Sequence, residues 1–358
     1  MNPAGLHKTP QTLSANVTIQ YSITNTSTIQ AAYVLTKVNN LQMNLSSNNV
    51  SQILPKGTDT TNLVPFPHLG NGGYSESIGK SAYNGLQVTA QQQSWKGLNF
   101  LASYTWSKTL TDAGDLLNGG SVGGIRALQV PGLGVPFDYS LASFDIRNVF
   151  HFSGGYELPF GKGKQFLGNA NRLTDSILGG WSVNYILVLQ QGQPQTFGCP
   201  TGTTSGTNCN DLRVQGQSPK LGITHQSANK GRPRWYNNPQ AFNQPCTLGG
   251  TIDNPTPIID SPNKGCIPVT GPAVLGGKTD TATGPGYKKL DFSIFKSFPI
   301  TERYSFQFRA DTFNLFNHPN FSAPDNTNFN DPQFGDIGST RDAPYGSRQI
   351  QFALKFYY

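Results

Sequence analysis

The sequence predicts an all-β fold, an antiparallel transmembrane β-barrel that is partial, with about nine strands of a larger barrel, short periplasmic turns and long extracellular loops. Three observations predict it. The last ten residues alternate strictly: Ile350, Phe352, Leu354, Phe356 and Tyr358 against Gln349, Gln351, Ala353, Lys355 and Tyr357. Period two means a strand with two unlike faces, one for lipid or core and one for water. The connections between alternating stretches run short, long, short, long, medium, very long, short, long. A β-sandwich has no reason to gather its long loops at one end, whereas a membrane barrel does so as a rule. Finally, only 13% of residues are charged, about half the usual share, while aromatics reach 11% with 22 Phe and 14 Tyr.

The rest of the composition agrees. Forty Gly and 25 Pro, with abundant Asn, Ser, Thr and Gln, fit long loops and fit poorly with an ordinary cytosolic enzyme. No stretch of about 18 apolar residues occurs, so no transmembrane helix is expected. The net charge of +7 is dispersed among Gly and Pro, as at Lys162, Lys164, Arg232 and Arg234. Such cations read as solvated loops, and no nucleic-acid partner is expected.

The elements follow in order. A short irregular segment, residues 1–12, precedes a first strand in which Val17, Ile19, Tyr21 and Ile23 alternate with Thr18, Gln20 and Ser22. Asn25 and Thr26 make a tight turn into a second strand with Ile29, Ala31, Tyr33 and Leu35 on one face. Residues from about 37 to 82 lose all period and read as a long loop. The third strand spans Tyr83 to Ser94. Trp95, Lys96 and Gly97 turn the chain into the fourth, where Leu98, Phe100, Ala102, Tyr104 and Trp106 share a face. A Gly-rich loop covers about 109–144. The fifth strand runs from about Asp145 to Leu158, and a moderate connection leads to the sixth, Trp181 to Gln190. The longest loop, about 191–286, holds every cysteine. Leu290, Phe292 and Ile294 mark the seventh strand, Tyr304 to Thr312 the eighth. A loop over about 317–346 precedes the closing strand.

Strand length and face chemistry sharpen the expectation. About ten residues, rising roughly 3.3 Å each and tilted near 45°, span on the order of 23 Å, close to the apolar band of an outer-membrane barrel. Turning the eighth strand over would bring Arg309 to lipid at a cost of roughly 2–4 kcal/mol near the midplane. The aromatic faces are therefore expected to point outward, with Phe100, Tyr104, Trp106, Tyr304, Phe306 and Phe308 lipid-facing. Trp95, Trp106 and Trp181 lie near strand ends, where interfacial aromatic girdles belong. An odd count of strands, too few to enclose such loops, points to a larger sheet.

No catalytic constellation stands out, no cofactor is implied, and the chain is not expected to be an enzyme. The five His are scattered and no H-E-x-x-H occurs. Gly70, Gly72 and Gly73 lack the Lys-Ser/Thr of a P-loop. Gly161-Lys162-Gly163-Lys164 reads as a solvated basic turn, and Asp325 to Asp331 as a turn-rich loop without the Gly and Glu of an EF-hand. Asn317, His318 and Pro319 stop the eighth strand, because Pro cannot donate to a ladder. Cys199, Cys209, Cys246 and Cys266 show no C-x-x-C spacing, so metal is not expected and two loop disulfides are. Neighbour pairing closes the shortest loops, though sequence leaves connectivity open. The N-terminus carries no apolar signal region, and a barrel protein must be exported, so either the barrel reading is wrong or the chain is expected to lack its true N-terminus.

The segment F-R-A-D-T-F-N-L-F-N-H-P-N-F at Phe308–Phe321, then F-G-D-I-G at Phe334–Gly338 and S-R-Q-I-Q-F-A-L-K-F at Ser347–Phe356, resembles the C-terminal end of Oar-like TonB-dependent receptors. Y-N-G-L-Q-V-T-A at Tyr83–Ala90, Y-T-W-S-K at Tyr104–Lys108 and F-D-I-R-N-V-F at Phe144–Phe150 resemble the same family's strands. The resemblance implies a barrel of about 22 strands, an N-terminal plug and a TonB box, with TonB a partner only through the missing plug. It also implies that Phe352, Leu354, Phe356 and Tyr358 form the strand signal read by the outer-membrane assembly machinery. The expected function is ligand uptake across the outer membrane by a receptor fragment, its partners being outer-membrane lipid and an unknown extracellular ligand. A surface adhesin or structural barrel, and a secreted soluble β-sandwich binding protein, are the alternatives.

Overall fold

The structure is a computed structural model that describes residues 8–46, 48, 50, 54–70, 73–113, 139–199, 210–220, 231–258, 266–268, 276–278, 281–301, 303–344 and 346–358. Nine long strands form one antiparallel meander. They are β1 (Gln11–Thr24), β2 (Ser27–Ser46), β3 (Gly73–Trp95), β4 (Leu98–Thr111), β6 (Asn148–Glu157), β7 (Trp181–Gln190), β14 (Tyr287–Pro299), β15 (Ser305–Phe313) and β16 (Gln349–Tyr357). Each pairs with the next, and a two-residue strand β5 (Ser140–Leu141) adds to β4. The outer edges of β1 and β16 pair with no other strand among the described residues. The nine expected strands are all present, as part of an open barrel wall.

Register explains why one face is apolar. Cross-strand partners lie on the same side of a sheet, so the pairing lines up whole rows. One row reads Ala31, Val88, Tyr104, Phe150, Leu189; the next reads Ile29, Ala90, Ala102, Phe152, Leu187, Leu290. Nearer the other end, Tyr156, Val183, Ile294, Ala310 and Phe352 align, and Phe298 aligns with Phe306 and Phe356. The opposite face reads Gln20, Gln30, Thr89, Ser103, His151, Val188, Lys289 and, further along, Gly155, Asn184, Ser293, Asp311, Gln351. A slip of one residue at any pair would break both faces at once. No second large sheet covers the apolar face among the described residues. Phe352 and Leu354 are each 69% exposed, which a β-sandwich core would not allow.

The short connections gather at one end. Lys96 and Gly97, at φ 49° and 82°, form a two-residue hairpin between Trp95 and Leu98. Positive φ at both central residues matches the strands' right-handed twist, and Gly97 takes it without strain. The β6–β7 connection contains a helix, α1 (Arg172–Leu178), where the sequence predicts plain connection. The side chain of Asn171 accepts from the Thr174 N–H at 2.8 Å and caps it. Leu173 and Ile177, one turn apart, stay exposed.

Several element boundaries differ from expectation. The predicted loop over 37–82 is shorter, because β2 continues to Ser46 and β3 begins at Gly73. These extensions carry Asn39, Asn40, Gln42 and Asn44, with register shifts around Val38 and Leu41 and Asn40 at φ 60°. The β2 extension does alternate, with Leu41, Met43 and Leu45 against Gln42, Asn44 and Ser46, but the break at Asn39-Asn40 separates this short period from the strand before it. Similarly β4 runs to Thr111, inside the predicted loop over 109–144, and β1 starts at Gln11, inside the segment 1–12. The predicted loop over 191–286 contains β8 (Pro194–Gln195), β9 (Leu212–Arg213), β10 (Phe242–Asn243), β11 (Thr247–Gly250), β12 (Pro255–Ile258) and β13 (Ala282–Thr283). After the predicted loop over 317–346, β16 begins at Gln349.

The buried core lies among these loops, away from the wall. Phe197, Tyr236, Ala241, Phe242 and Ala282 pack with Phe329 and Phe334 from the β15–β16 connection. The Phe197 ring lies 4.5 Å from Phe242 and 5.0 Å from Tyr236, edge-on to the latter, an arrangement aromatic pairs favour. Backbone bonds tie the loops together: Lys56 N–H to the Leu248 carbonyl at 2.7 Å and Trp235 N–H to the Gly335 carbonyl at 2.8 Å. Gly335 sits at φ 79°, and a Cβ there would come 2.1 Å from the Tyr236 carbonyl oxygen. Only glycine allows that approach.

Candidate functional site: a cationic cleft in the loop body

Where β7 ends and β14 begins, the loop body leaves a cleft of about 530 Å³. Its lining includes Gln190, Arg213, Lys220, Trp235, Tyr236 and Lys288, and among the described residues no carboxylate lines it. Each cation has a structural reason for its position. The Arg213 guanidinium stacks 4.4 Å from the Phe242 ring and donates to the Gln217 carbonyl at 3.4 Å. Lys220 places its ammonium 3.1 Å from the centre of the Trp235 ring, a cation–π contact. Trp235 is fixed in turn, donating from Nε1 to the Thr283 carbonyl at 3.0 Å. Lys288 holds its place through its backbone N–H, which donates to Asn320 Oδ1 at 2.7 Å.

The electrostatics of the cleft are one-sided. Burial, and then the positive charge of Lys288, push the Lys220 ammonium below its usual range. Burial also lowers Arg213, with Asp211 and Tyr236 opposing the shift. The Tyr236 phenol is pushed above its usual range by burial, and its hydroxyl has no hydrogen-bond partner among the described residues. Positive charge is thus held at partial desolvation without a matching anion on the lining.

The residues expected from sequence fall elsewhere. Phe100, Tyr104, Trp106, Phe306 and Phe308 share the apolar face of the wall by register, together with Phe352, Leu354 and Phe356 of the closing strand, and Tyr304, just before β15, reaches them through its ring contact with Phe356. The Phe356 ring stacks on Tyr304 at 5.8 Å and on Tyr358 at 6.3 Å. Cys246 and Cys266 are joined in a disulfide across a separation of 20 residues. Cys199 is also disulfide-bonded, while Cys209 lies outside the described residues. In the 161–164 turn, Lys164 pairs with Glu157 at 3.0 Å. Asn326, Asn328 and Asp331 each cap the backbone two residues on, at 2.7–3.0 Å, as a turn-rich loop does.

One reading needs correction. Arg234 is not a solvated loop cation: it donates to the buried Asp336 carboxylate at 3.1 Å, because a charge buried in the loop body requires a partner. The cleft itself was missed. Arg213, Lys220, Trp235 and Lys288 have no informative spacing, and the only hint was Trp235, a tryptophan distant from any predicted strand end.

The wall and loops can be compared with known proteins. No curated protein matches the sequence. The crystal structure of the outer membrane transporter YddB from Escherichia coli is similar at a TM-score of 0.44 and 10% identity, over 98% of this chain and 33% of the transporter. The chain thus spans about a third of that transporter's length. Residues 3–351 match the outer membrane beta barrel domain, and the chain belongs to that family of outer-membrane β-barrels.

Proposed function

We propose that this chain forms part of the wall and the external loop body of an Oar-like TonB-dependent receptor, and contributes to ligand uptake across the outer membrane. The observation that carries the reading is the folded loop body with its lined cleft, set at one end of a membrane wall. An inert barrel gains nothing from loops tied through a shared aromatic core. The apolar rows then face lipid, and the polar face, with Arg309 paired to Asp311 at 2.6 Å, faces the lumen. An open sheet edge is not tolerated in hydrocarbon, so β1 and β16 require further strands to close the barrel. TonB would act through a plug, and the assembly machinery would read the closing strand. The chemistry of uptake needs no covalent step from this chain.

The test is deletion of the coding sequence, followed by energised uptake of labelled sugars, peptides and metal chelates. Loss of uptake of one class, matched by a protonophore in the parent, supports the reading. Unchanged uptake of every class with lost surface adhesion would favour an adhesin.

A further inference from the structure

We propose that the cationic cleft binds a phosphate group, held by Lys220 and Lys288 with Arg213 beside them. The reading rests on the loop body standing outside the membrane. Three observations support it. Neither Lys220 nor Lys288 makes an ion pair among the described residues, although both line the same cleft. The acid that acts on Arg213, Asp211, is fully buried, receives a hydrogen bond from Thr281 Oγ1 at 3.3 Å and is not in the cleft lining, so it is not presented as a competing ligand. Ser218, Thr281 and Thr283 add hydroxyls to the same lining. An anion placed between the two ammonium groups removes their repulsion, and charge-assisted bonds to phosphate oxygens are the stronger kind.

The cleft volume exceeds what a bare ion fills, so the phosphate arrives on a larger molecule. Lys288 pairs with Leu189 and therefore lies on the apolar face, in the row of Tyr104 and Phe150. A phosphate carried by a lipid of the outer leaflet can reach that side. A soluble phosphorylated ligand can reach the same cations from the loops. The chemistry is shared, and the source is an outcome of the test.

The experiment uses the full chain folded in detergent micelles. Binding of inorganic phosphate is followed by titration calorimetry, and retention of lipopolysaccharide, intact or enzymatically dephosphorylated, by native mass spectrometry. Lys220→Gln and Lys288→Gln should each weaken phosphate binding about tenfold, Lys220→Arg should restore it, and Lys162→Gln in the distant turn should change nothing. Far-UV circular dichroism checks that each variant is folded. Saturable binding of free phosphate supports a soluble ligand. Retention of intact but not dephosphorylated lipopolysaccharide supports a lipid. Binding of neither, or binding unaffected in both glutamine variants, overturns the proposal. The uptake assay is independent: transport can be absent while the phosphate site remains, and the reverse.

Discussion

The ammonium of Lys296 donates to the main-chain carbonyl of Gly179, joining the short-turn end of the wall to the end of helix α1. Lys296 lies on the apolar face, in the row of Trp181, Phe308 and Leu354, yet is only 2% exposed. A bare cation there would be costly. The carbonyls at the helix C-terminus resolve this, since they carry partial negative charge and lack helical partners. Trp181 Nε1 completes the clasp, donating to the Ile177 carbonyl at 2.9 Å.

Lys296→Met should therefore release α1 rather than unfold the wall. One lost charge-assisted bond is worth about 1.5–3 kcal/mol. Trypsin should cleave after Arg172 at least about tenfold faster in the variant, because each 1.4 kcal/mol is tenfold in an opening equilibrium of this kind. Unchanged cleavage would mean the clasp does not hold the helix.

The disulfide between Cys246 and Cys266 closes a loop of 20 residues. Replacing both with Ser should cost about 3 kcal/mol, a model-dependent figure, through the freer unfolded chain. The loss should fall on the loop body alone. Trp235 fluorescence should report an earlier denaturant midpoint, while the strand signal in circular dichroism stays in place.

Tyr236 gives a pH dependence with a definite sign. Burial raises its folded pKa above the ordinary value of 10.0, so the folded state holds its proton longer than the unfolded chain does. Stability from this group is fully present below pH about 10 and is lost as pH rises further. The loop body should loosen in that alkaline window, again visible at Trp235. Tyr236→Phe should remove this group's share of the alkaline loss. At neutral pH it should be near neutral or slightly stabilising, since the hydroxyl has no partner among the described residues.

The wall was legible because it is a membrane wall. Strands such as β15 must be apolar on one side and polar on the other, and Phe306, Phe308 and Ala310 against Gln307, Arg309 and Asp311 show it directly. In the outer part of β2 the alternation of Leu41, Met43 and Leu45 resumes only after Asn39-Asn40, where the register shifts, and so short a period among Asn and Gln is a weak strand signal. Helix α1 has only seven residues, too few for a clear period; its Asn171 cap and the Leu173–Ile177 pair were the available signals. The loop core was illegible for another reason. Phe197, Tyr236, Phe242, Phe329 and Phe334 are single aromatics among Gly, Pro and Asn, brought together by tertiary contacts that no local pattern encodes. The cleft inherits that obscurity.

Which face meets lipid can also be probed by charge. Leu354→Arg, opposite Phe308 on the apolar face, should cost about 2–4 kcal/mol of folding into bilayers if it lies near the midplane. Ala353→Arg, opposite Arg309 on the other face, should meet water in the lumen and cost under about 1 kcal/mol, much of it repulsion from Arg309. Equal penalties in a bilayer refolding titration would contradict the assignment.

The most direct measurement of the whole account is nitroxide accessibility in lipid bilayers. Labels at Tyr104→Cys, Phe152→Cys and Leu187→Cys would be compared with Ser103→Cys, His151→Cys and Val188→Cys, using oxygen as the lipid-soluble relaxer and a nickel chelate as the aqueous one. A lipid-facing apolar side gives oxygen-dominated relaxation at the first three, and a lumen-facing polar side gives nickel-dominated relaxation at the second three. Reversed preferences, or protection of the first three from both relaxers as in a sandwich core, would contradict it.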